Sequence, residues 1–476
     1  CNCGDLDSYP MRNIESDKAN ANRLKTVYAY HDRTKHDFHR SAASLGYLDW
    51  ANQPDPFRRY VGARLFQMPL QEIKGLPLYD EVYRKRTRSR SLNVATLSKF
   101  LECSMGLSAR KWYEGEGWAL RCNPSSGNLH PTECYVVTGP MIDLSTAGGV
   151  YHYAPAEHGL EERGRFSPGQ WEALGARFPQ GTFFVGLTSV LWREVWKYGE
   201  RAVRYCQHDV GHAIAALTYA GTMLGWDVVM LDGMSDASVA AVLGIDQEGD
   251  FDHAEPEHPE SLLAVMPFEL NVRVPRNVEP ACVASSWHGT PNRLSDEHVD
   301  WPIVERVAKD TAKFDESELC IVLKDRRDPV SLSHKSVKTL DVIALQRRSA
   351  VSMDGQTTIS RDTFYTMLAR TLPIEGGLFS AVSHTRAYVH LALFVHRVDD
   401  LAPGLYVLVR DKASERTVRT AMTIDFDWTA SERCPAEISL YHLQTGNAPS
   451  DAAQLSRTQA HASARASTAA RLLDFE

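Results

Sequence analysis

Three groups of residues in the chain have types and spacing that could do chemistry. The first is Asn123–Pro131, NPSSGNLHP, which runs directly into the apolar segment TECYVV. Seven of its nine residues are Asn, Pro, Ser or Gly, so it reads as a loop that stops abruptly at a strand. Ser125, Ser126 and Asn128 offer hydroxyl and amide partners, and Gly127 permits close backbone approach. Such a set suits the polar edge of a flat heterocycle better than a triphosphate; an ordinary surface turn is the competing reading. The second group is WKYGER, residues 196–201, placed between an apolar strand and a long helix. Lys197 and Tyr198 can each donate or accept a proton if burial or neighbours shift them toward neutral pH. Exposed Lys-Tyr dipeptides without such a role are commonplace. The third group is a pair of Arg/Ser runs, Arg86/Arg88/Ser89/Arg90 and Arg347/Arg348/Ser349. Forked guanidinium donors, a hydroxyl and the N–H groups of an adjacent helix start are the ingredients of a phosphate site. Either run alone reads as a solvated basic surface; their recurrence favours phosphate.

Other chemistries lack their residues. There is no G-x-x-x-x-G-K-[ST], no strand-linked G-x-G-x-x-G and no G-x-S-x-G elbow. Nine scattered cysteines without C-x-x-C spacing argue against a disulfide framework and a zinc site, and favour a reducing cytoplasm. His31, His36 and His39 match no usual ligand spacing, so no metal is expected. A net charge of −8 gives no reason to expect a nucleic-acid or acidic-membrane partner. No run approaches the roughly 18 apolar residues of a membrane-spanning helix, and no basic-then-apolar segment opens the chain.

The elements that must position these groups divide the 476 residues into four parts. Residues 1–75 read as an irregular extension wrapping a domain, with Trp50, Phe57 and Tyr60 as anchors. Residues 76–270 form a first domain. In it, Leu97, Leu101 and Met105 have helical spacing, while ECYVVTG, GVYHYAP and the long run GTFFVGLTSVLW read as strands. Val203, Cys206, Val210, Ile214 and Leu217 make one stripe of a long helix that ends at Gly225. Asp209 and His212 on that helix read as packing or helix-orienting groups. Residues 271–334 belong to a linker, since periodicity is low from about 250 to 330. In 335–476 the pattern returns weakly: QRRSAVSMDG echoes RKRTRSRS, and VHLALFVH with PGLYVLVR echoes ECYVV with GVYHY. An internal duplication is expected, with an incomplete second copy that lacks a counterpart of WKYGERAVRYCQHDVGH.

The set RTRSRS, NPSSGNLHPTECYVV, GVYHY and WKYGERAVRYCQHDVGHAIAAL resembles the nitroreductase-like flavoproteins of the SagB/ThcOx type, strongly over 84–270 and weakly over 335–476. The resemblance implies an α+β nitroreductase-like fold in two tandem copies that form an intramolecular pseudo-dimer, the second copy degenerate. It also implies FMN, held by Arg86, Arg88, Arg90, Pro124, Ser125, Ser126, Asn128, Arg347, Arg348 and Ser349, with Ser125, Ser126 and Asn128 at the ring. Lys197 and Tyr198 map to the catalytic pair of the azoline-oxidising branch. The first repeat departs from the family's Arg-Arg-Ser-x-Arg, the second has Val351 in place of a further basic residue, and FSAVSHTRA replaces its Ser/Gly loop. The expected function is removal of a hydride and a proton from a thiazoline, oxazoline or similar bond. The alternatives are an NAD(P)H-driven nitro- or ene-reductase and a non-catalytic flavin-binding scaffold. A small-molecule or peptide substrate and biosynthetic partner proteins are the expected partners.

Overall fold

The computed structural model describes residues 14–446 apart from 36, 38–39, 114, 270, 279–283, 285, 329–335, 350–353, 384–385 and 423–424. At its centre is an eight-stranded antiparallel sheet. Its order is Ser286–Trp287, Gly159–Arg165, Gly149–Ala154, Thr132–Thr138, Phe183–Ser189, His258–Pro267 and Trp226–Met230, with Arg64–Gln67 also paired to Gly159–Arg165. Every residue of Thr132–Thr138 and Phe183–Ser189 is buried because both faces are covered. Side chains alternate between the faces. Cys134, Val136, Phe183, Val185 and Leu187 pack against Leu97, Phe100, Leu101 and Leu217 of the helices Val94–Ser104 and Ala202–Met223. Tyr135, Val137 and Phe184 point the other way, onto Val239, Val242 and Leu243 of the helix Asp236–Leu243. Each such large side chain, fully buried, stabilises the fold by about 1.5–3 kcal/mol.

Local sequence sets the helix ends. Asn93 and Thr96 form a reciprocal capping box before Val94–Ser104. Gly225, at φ 78°, ends the long helix and turns the chain into the strand Trp226–Met230.

The second unit has its own four-stranded antiparallel sheet, in the order Leu391–Val395, Gly404–Leu408, Leu440–Thr445, Thr429–Ala430. The helix Arg361–Ala369 covers it, burying Phe364, Tyr365 and Leu368 against Tyr406, Leu408 and Leu440. Leu340 of the helix Leu340–Gln346 reaches instead into the core of the first unit, with Leu378 and Val382.

Three expectations about elements need correction. The N-terminal extension is not irregular: it contains the 21-residue helix Ile14–Thr34, which packs along Pro302–Thr311. Few apolar residues mark its buried side, so its period is hard to see. The low-periodicity stretch from 250 to 330 is structured. The part assigned to a linker holds the helix Pro302–Thr311 and the paired strands Arg273–Pro275 and Cys320–Val322, and just before it His258–Pro267 is an interior strand of the main sheet. Prolines near both of its ends disguise it. Finally, GTFFVGLTSVLW is two elements: the strand stops at Ser189 and the helix Leu191–Tyr198 begins two residues later. Of the three anchors, Tyr60 is buried, whereas Trp50 is exposed and meets Trp196 edge-on at 5.5 Å. His36 and His39 lie outside the described residues.

Candidate functional site

The loop 123–131 takes its shape from left-handed residues and its own side chains. Gly127, Asn128 and His130 have φ of 62°, 61° and 52°. The Ser125 hydroxyl accepts from the His130 N–H at 2.8 Å, which closes the turn. The Asn128 amide donates to the Ala119 carbonyl at 2.9 Å, so its oxygen accepts from His130 Nε2 at 3.0 Å. Burial, with Arg121 and Arg193 nearby, pushes the His130 imidazole well below its usual range, which keeps it neutral. Asn128 therefore serves first to brace the loop, with one N–H and one lone pair left over.

Lys197 and Tyr198 close the short helix Leu191–Tyr198 and meet this loop at Gly127. A Cβ at Gly127 would fall 2.7 Å from Tyr198 Oη and 3.0 Å from Lys197 Nζ, so any side chain there would push on the ends of both residues, and the left-handed φ also favours glycine. Tyr198 stacks on Tyr205 with ring centroids 4.3 Å apart. Burial lowers the proton affinity of the Lys197 amine, against the opposing influence of Glu194. The N-terminal extension braces the turn from outside: Tyr30 donates to the Glu200 carbonyl at 2.7 Å, and the Ala43 N–H donates to the Glu200 carboxylate at 3.2 Å.

Two acids not assigned to the site by sequence lie beneath it. Asp209, buried in the long helix, accepts from the Ser126 N–H at 3.0 Å and from the Ser126 hydroxyl at 3.3 Å. Glu194 is buried one turn before Lys197, and neither of its oxygens has a hydrogen-bond partner among the described residues. Burial first, then the neighbouring Asp209, push its carboxyl well above the usual range. The helical i, i+3 spacing from Lys197 was the available clue to Glu194. Nothing local pointed from Asp209 to a loop 83 residues away.

The two Arg/Ser runs have different surroundings. Arg347 donates to the Cys122 carbonyl at 3.3 Å, at the base of the loop, and Arg348 donates to the Ser108 carbonyl at 2.9 Å. Ser349 is exposed beside them. This run follows the end of the helix Leu340–Gln346 instead of preceding a helix start, so helix N–H groups do not contribute there as the sequence suggested. Arg86 is ion-paired to Asp227, the Ser89 hydroxyl donates to the Gly225 carbonyl at 2.6 Å, and Arg90 donates to the Lys74 carbonyl at 2.6 Å. Arg88 is exposed. A cleft of about 1490 Å³ runs along the long helix, from Ser126 and His212 at one end to Tyr219, Arg86 and Asp227 at the other. Residues 376–383 wall its far end, where the Met230 N–H donates to the Ala381 carbonyl at 3.0 Å. Of the FSAVSHTRA segment, Val382 is buried, Arg386 is ion-paired to Asp411, and His384 lies outside the described residues. The structure thus gathers Pro124–Asn128, Lys197 and Tyr198, with Arg347 and Arg348 behind the loop, and leaves Arg86 and Arg90 elsewhere.

Among the described residues no helix is long and apolar enough to cross a membrane. Residues 88–253 match the model of the nitroreductase family. The chain is 32% identical over 132 residues to the trifolitoxin-processing protein TfxB of Rhizobium leguminosarum bv. trifolii, a match covering 26% of this chain and 35% of that protein. It thus spans about a third of the length of this relative. A crystal structure of a candidate nitroreductase from Anabaena variabilis superposes with a TM-score of 0.54 at 22% identity, over 83% of this chain and 81% of the other. The Escherichia coli microcin synthetase McbBCD complex matches at a TM-score of 0.31 and 17% identity, over 55% of this chain and 100% of that one, which is too distant to carry an argument.

Proposed function

We propose that this chain, which contains a nitroreductase-family domain over residues 88–253 within an α+β nitroreductase-like fold, is an FMN-dependent dehydrogenase of the SagB/ThcOx type. Its substrate is a thiazoline, oxazoline or similar heterocycle in a peptide under maturation, and it works with partner proteins of that biosynthesis. The observation that carries this reading is the meeting of Lys197, Tyr198 and the Ser/Gly loop at Gly127.

The residues present fit FMN. Gly127 lets the loop approach the Lys197 amine and the Tyr198 hydroxyl closely, so the loop's polar groups and the Lys-Tyr pair can face one ring from adjacent positions. Arg347 and Arg348 bond only to carbonyls, and among the described residues neither has a carboxylate within ion-pair distance, so both can turn to a phosphate. When bound, FMN supplies the hydride acceptor. The chain supplies position and proton transfer. Asp209 fixes Ser126, and with it the loop backbone that would hold the flavin. The Lys197 amine, its proton affinity lowered by burial, takes the proton from the carbon next to the breaking C–H bond. Tyr198, stacked on Tyr205, presents its hydroxyl at the same point.

The test begins with the visible spectrum of the purified chain after FMN is added. Bound oxidised flavin that bleaches anaerobically with an azoline-bearing peptide is the expected result. Rapid bleaching by NADPH, with none by the peptide, would favour the reductase reading. A chain that takes up no flavin would favour the scaffold.

A further inference from the structure

The far end of the long cleft is already neutralised from within. Arg86 is ion-paired to Asp227, donates to the Lys324 carbonyl, and lies with its guanidinium 3.5 Å from the centroid of the Phe268 ring. A second guanidinium, Arg326, approaches the same Asp227 oxygen to 3.6 Å and donates to the Gly377 carbonyl at 3.3 Å. Asp325 stands 3.9 Å from Arg86, but on the solvent side. Asp227 is only 5% exposed and is fixed in the strand Trp226–Met230, which is paired along its length to His258–Pro267.

Two guanidiniums converging on one point of a cleft are the donor set that recognises a phosphate. Left without an anion, two part-buried like charges would repel and be poorly solvated. Here one oxygen of Asp227 serves both. The satisfaction is incomplete: Nε of Arg86, Nε of Arg326 and the second oxygen of Asp227 are buried without a hydrogen-bond partner among the described residues. The other basic run differs in kind, since Arg347 and Arg348 bond to carbonyls and keep their charge available.

We propose that Asp227 is a built-in counter-anion that occupies the place of a phosphate between Arg86 and Arg326. It closes this half of the cleft to phosphate-bearing ligands and leaves Arg347 and Arg348 as the anion site. The inference deepens the flavin reading and rests on it only for the role of Arg347; the closure by Asp227 stands on its own contacts.

Inorganic phosphate and pyrophosphate, titrated calorimetrically, are suitable probes. In an Arg347→Ala chain that retains Asp227, neither should bind through Arg86. Adding Asp227→Asn should create a phosphate site at least about tenfold tighter, because a charge-assisted pair is freed for the ligand. Adding Arg86→Ala should abolish that gain. The proposal is overturned if phosphate already binds through Arg86 while Asp227 is present, or if a folded Asp227→Asn chain gains no binding. Should Asp227→Asn fail to fold, Arg86→Ala alone decides: any loss of phosphate binding in that single variant contradicts closure, and unchanged binding supports it. A chain that gains phosphate on Asp227→Asn but never takes up FMN would sink the flavin reading and keep the closure.

Discussion

The backbone N–H of Ser126 donates to the buried carboxylate of Asp209 at 3.0 Å, and this bond ties the Ser/Gly loop to the long helix. The Ser126 hydroxyl adds a second bond to the same oxygen at 3.3 Å. A loop with three left-handed residues has few backbone bonds of its own, so an external acceptor holds its register.

Asp209→Ala should therefore cost about 1–3 kcal/mol of stability by leaving the Ser126 N–H without its acceptor. Asp209→Asn keeps one acceptor oxygen and should recover part of the loss. Urea unfolding of the two variants measures this directly. Equal stability of Asp209→Ala and the parent chain would show that the bond does not hold the loop.

Gly127→Ala should disturb Tyr198 before it disturbs the fold. The added Cβ falls 2.7 Å from Tyr198 Oη, and the left-handed φ of 62° adds a backbone cost of about 1–2 kcal/mol. In a Tyr198→Phe background the closest contact is gone, leaving the backbone cost and the looser approach to Lys197 Nζ at 3.0 Å. A double-mutant cycle then gives an interaction between the two sites. Strict additivity would mean that the approach at Gly127 is not constraining.

Lys197→Ala and Tyr198→Phe should each lower turnover by about 10²–10⁴-fold while bound flavin keeps its spectrum. If the Lys197 amine is the base, activity rises with pH as the amine loses its proton. Because burial lowers its proton affinity, the midpoint of that rise should fall below the ordinary lysine range. A pH–rate profile of the parent chain and of Tyr198→Phe separates the two residues. Loss of flavin in either variant would recast the pair as structural.

The buried His152 bridges Glu161 at 2.9 Å and Glu133 at 3.1 Å. Burial opposes its charge, but the bonds to both carboxylates prevail and raise its pKa to about 9. A folded value above the unfolded one, near 6.5, stabilises fully below about pH 6.5. That contribution fades as pH rises through about 9. His152→Gln should cost about 1–3 kcal/mol at pH 6 by removing the bridge between the two carboxylates, of which Glu133 keeps Arg193 and Glu161 keeps Arg59. The difference from the parent chain should shrink above pH 9, and urea unfolding at both pH values tests it.

Local patterns were readable where one element answers to its own residues. The helix Val94–Ser104 follows from the spacing of Leu97 and Leu101, and the long helix from its stripe and Gly225. The strand His258–Pro267 was not readable, because the sheet around it, and not its own alternation, makes it a strand. The Lys-Tyr pair and the Ser/Gly loop could be named from residue types. Their braces could not: Asp209, Glu194 and the Tyr30–Glu200 bond join residues far apart in the chain or hidden on an apolar helix face. The same applies to Arg86, whose partner Asp227 is 141 residues away and alters what that arginine can bind.

On the proposed flavin reading, that asymmetry sets the number of flavins expected per chain. The loop 123–128 has Arg347 at its base, whereas Arg86 faces the segment 376–383, in which Val382 is buried and no Gly-Asn pair is present. With Asp227 already between Arg86 and Arg326, a second phosphate would meet a carboxylate of its own sign. Flavin released by denaturation should therefore be close to one per chain, and a ratio near two would refute the single mixed site. Arg347→Ala should weaken FMN binding by more than Arg86→Ala, since only the former removes a guanidinium not already held by a carboxylate. The guanidinium lost in Arg347→Ala is a charge-assisted donor worth about 1.5–3 kcal/mol, so FMN affinity should fall by roughly 10- to 100-fold. Arg86→Ala should instead lower stability, because it leaves the buried Asp227 with Arg326 alone at 3.6 Å. The reverse order of effects on FMN would place the flavin phosphate at Arg86 and exchange the two half-sites.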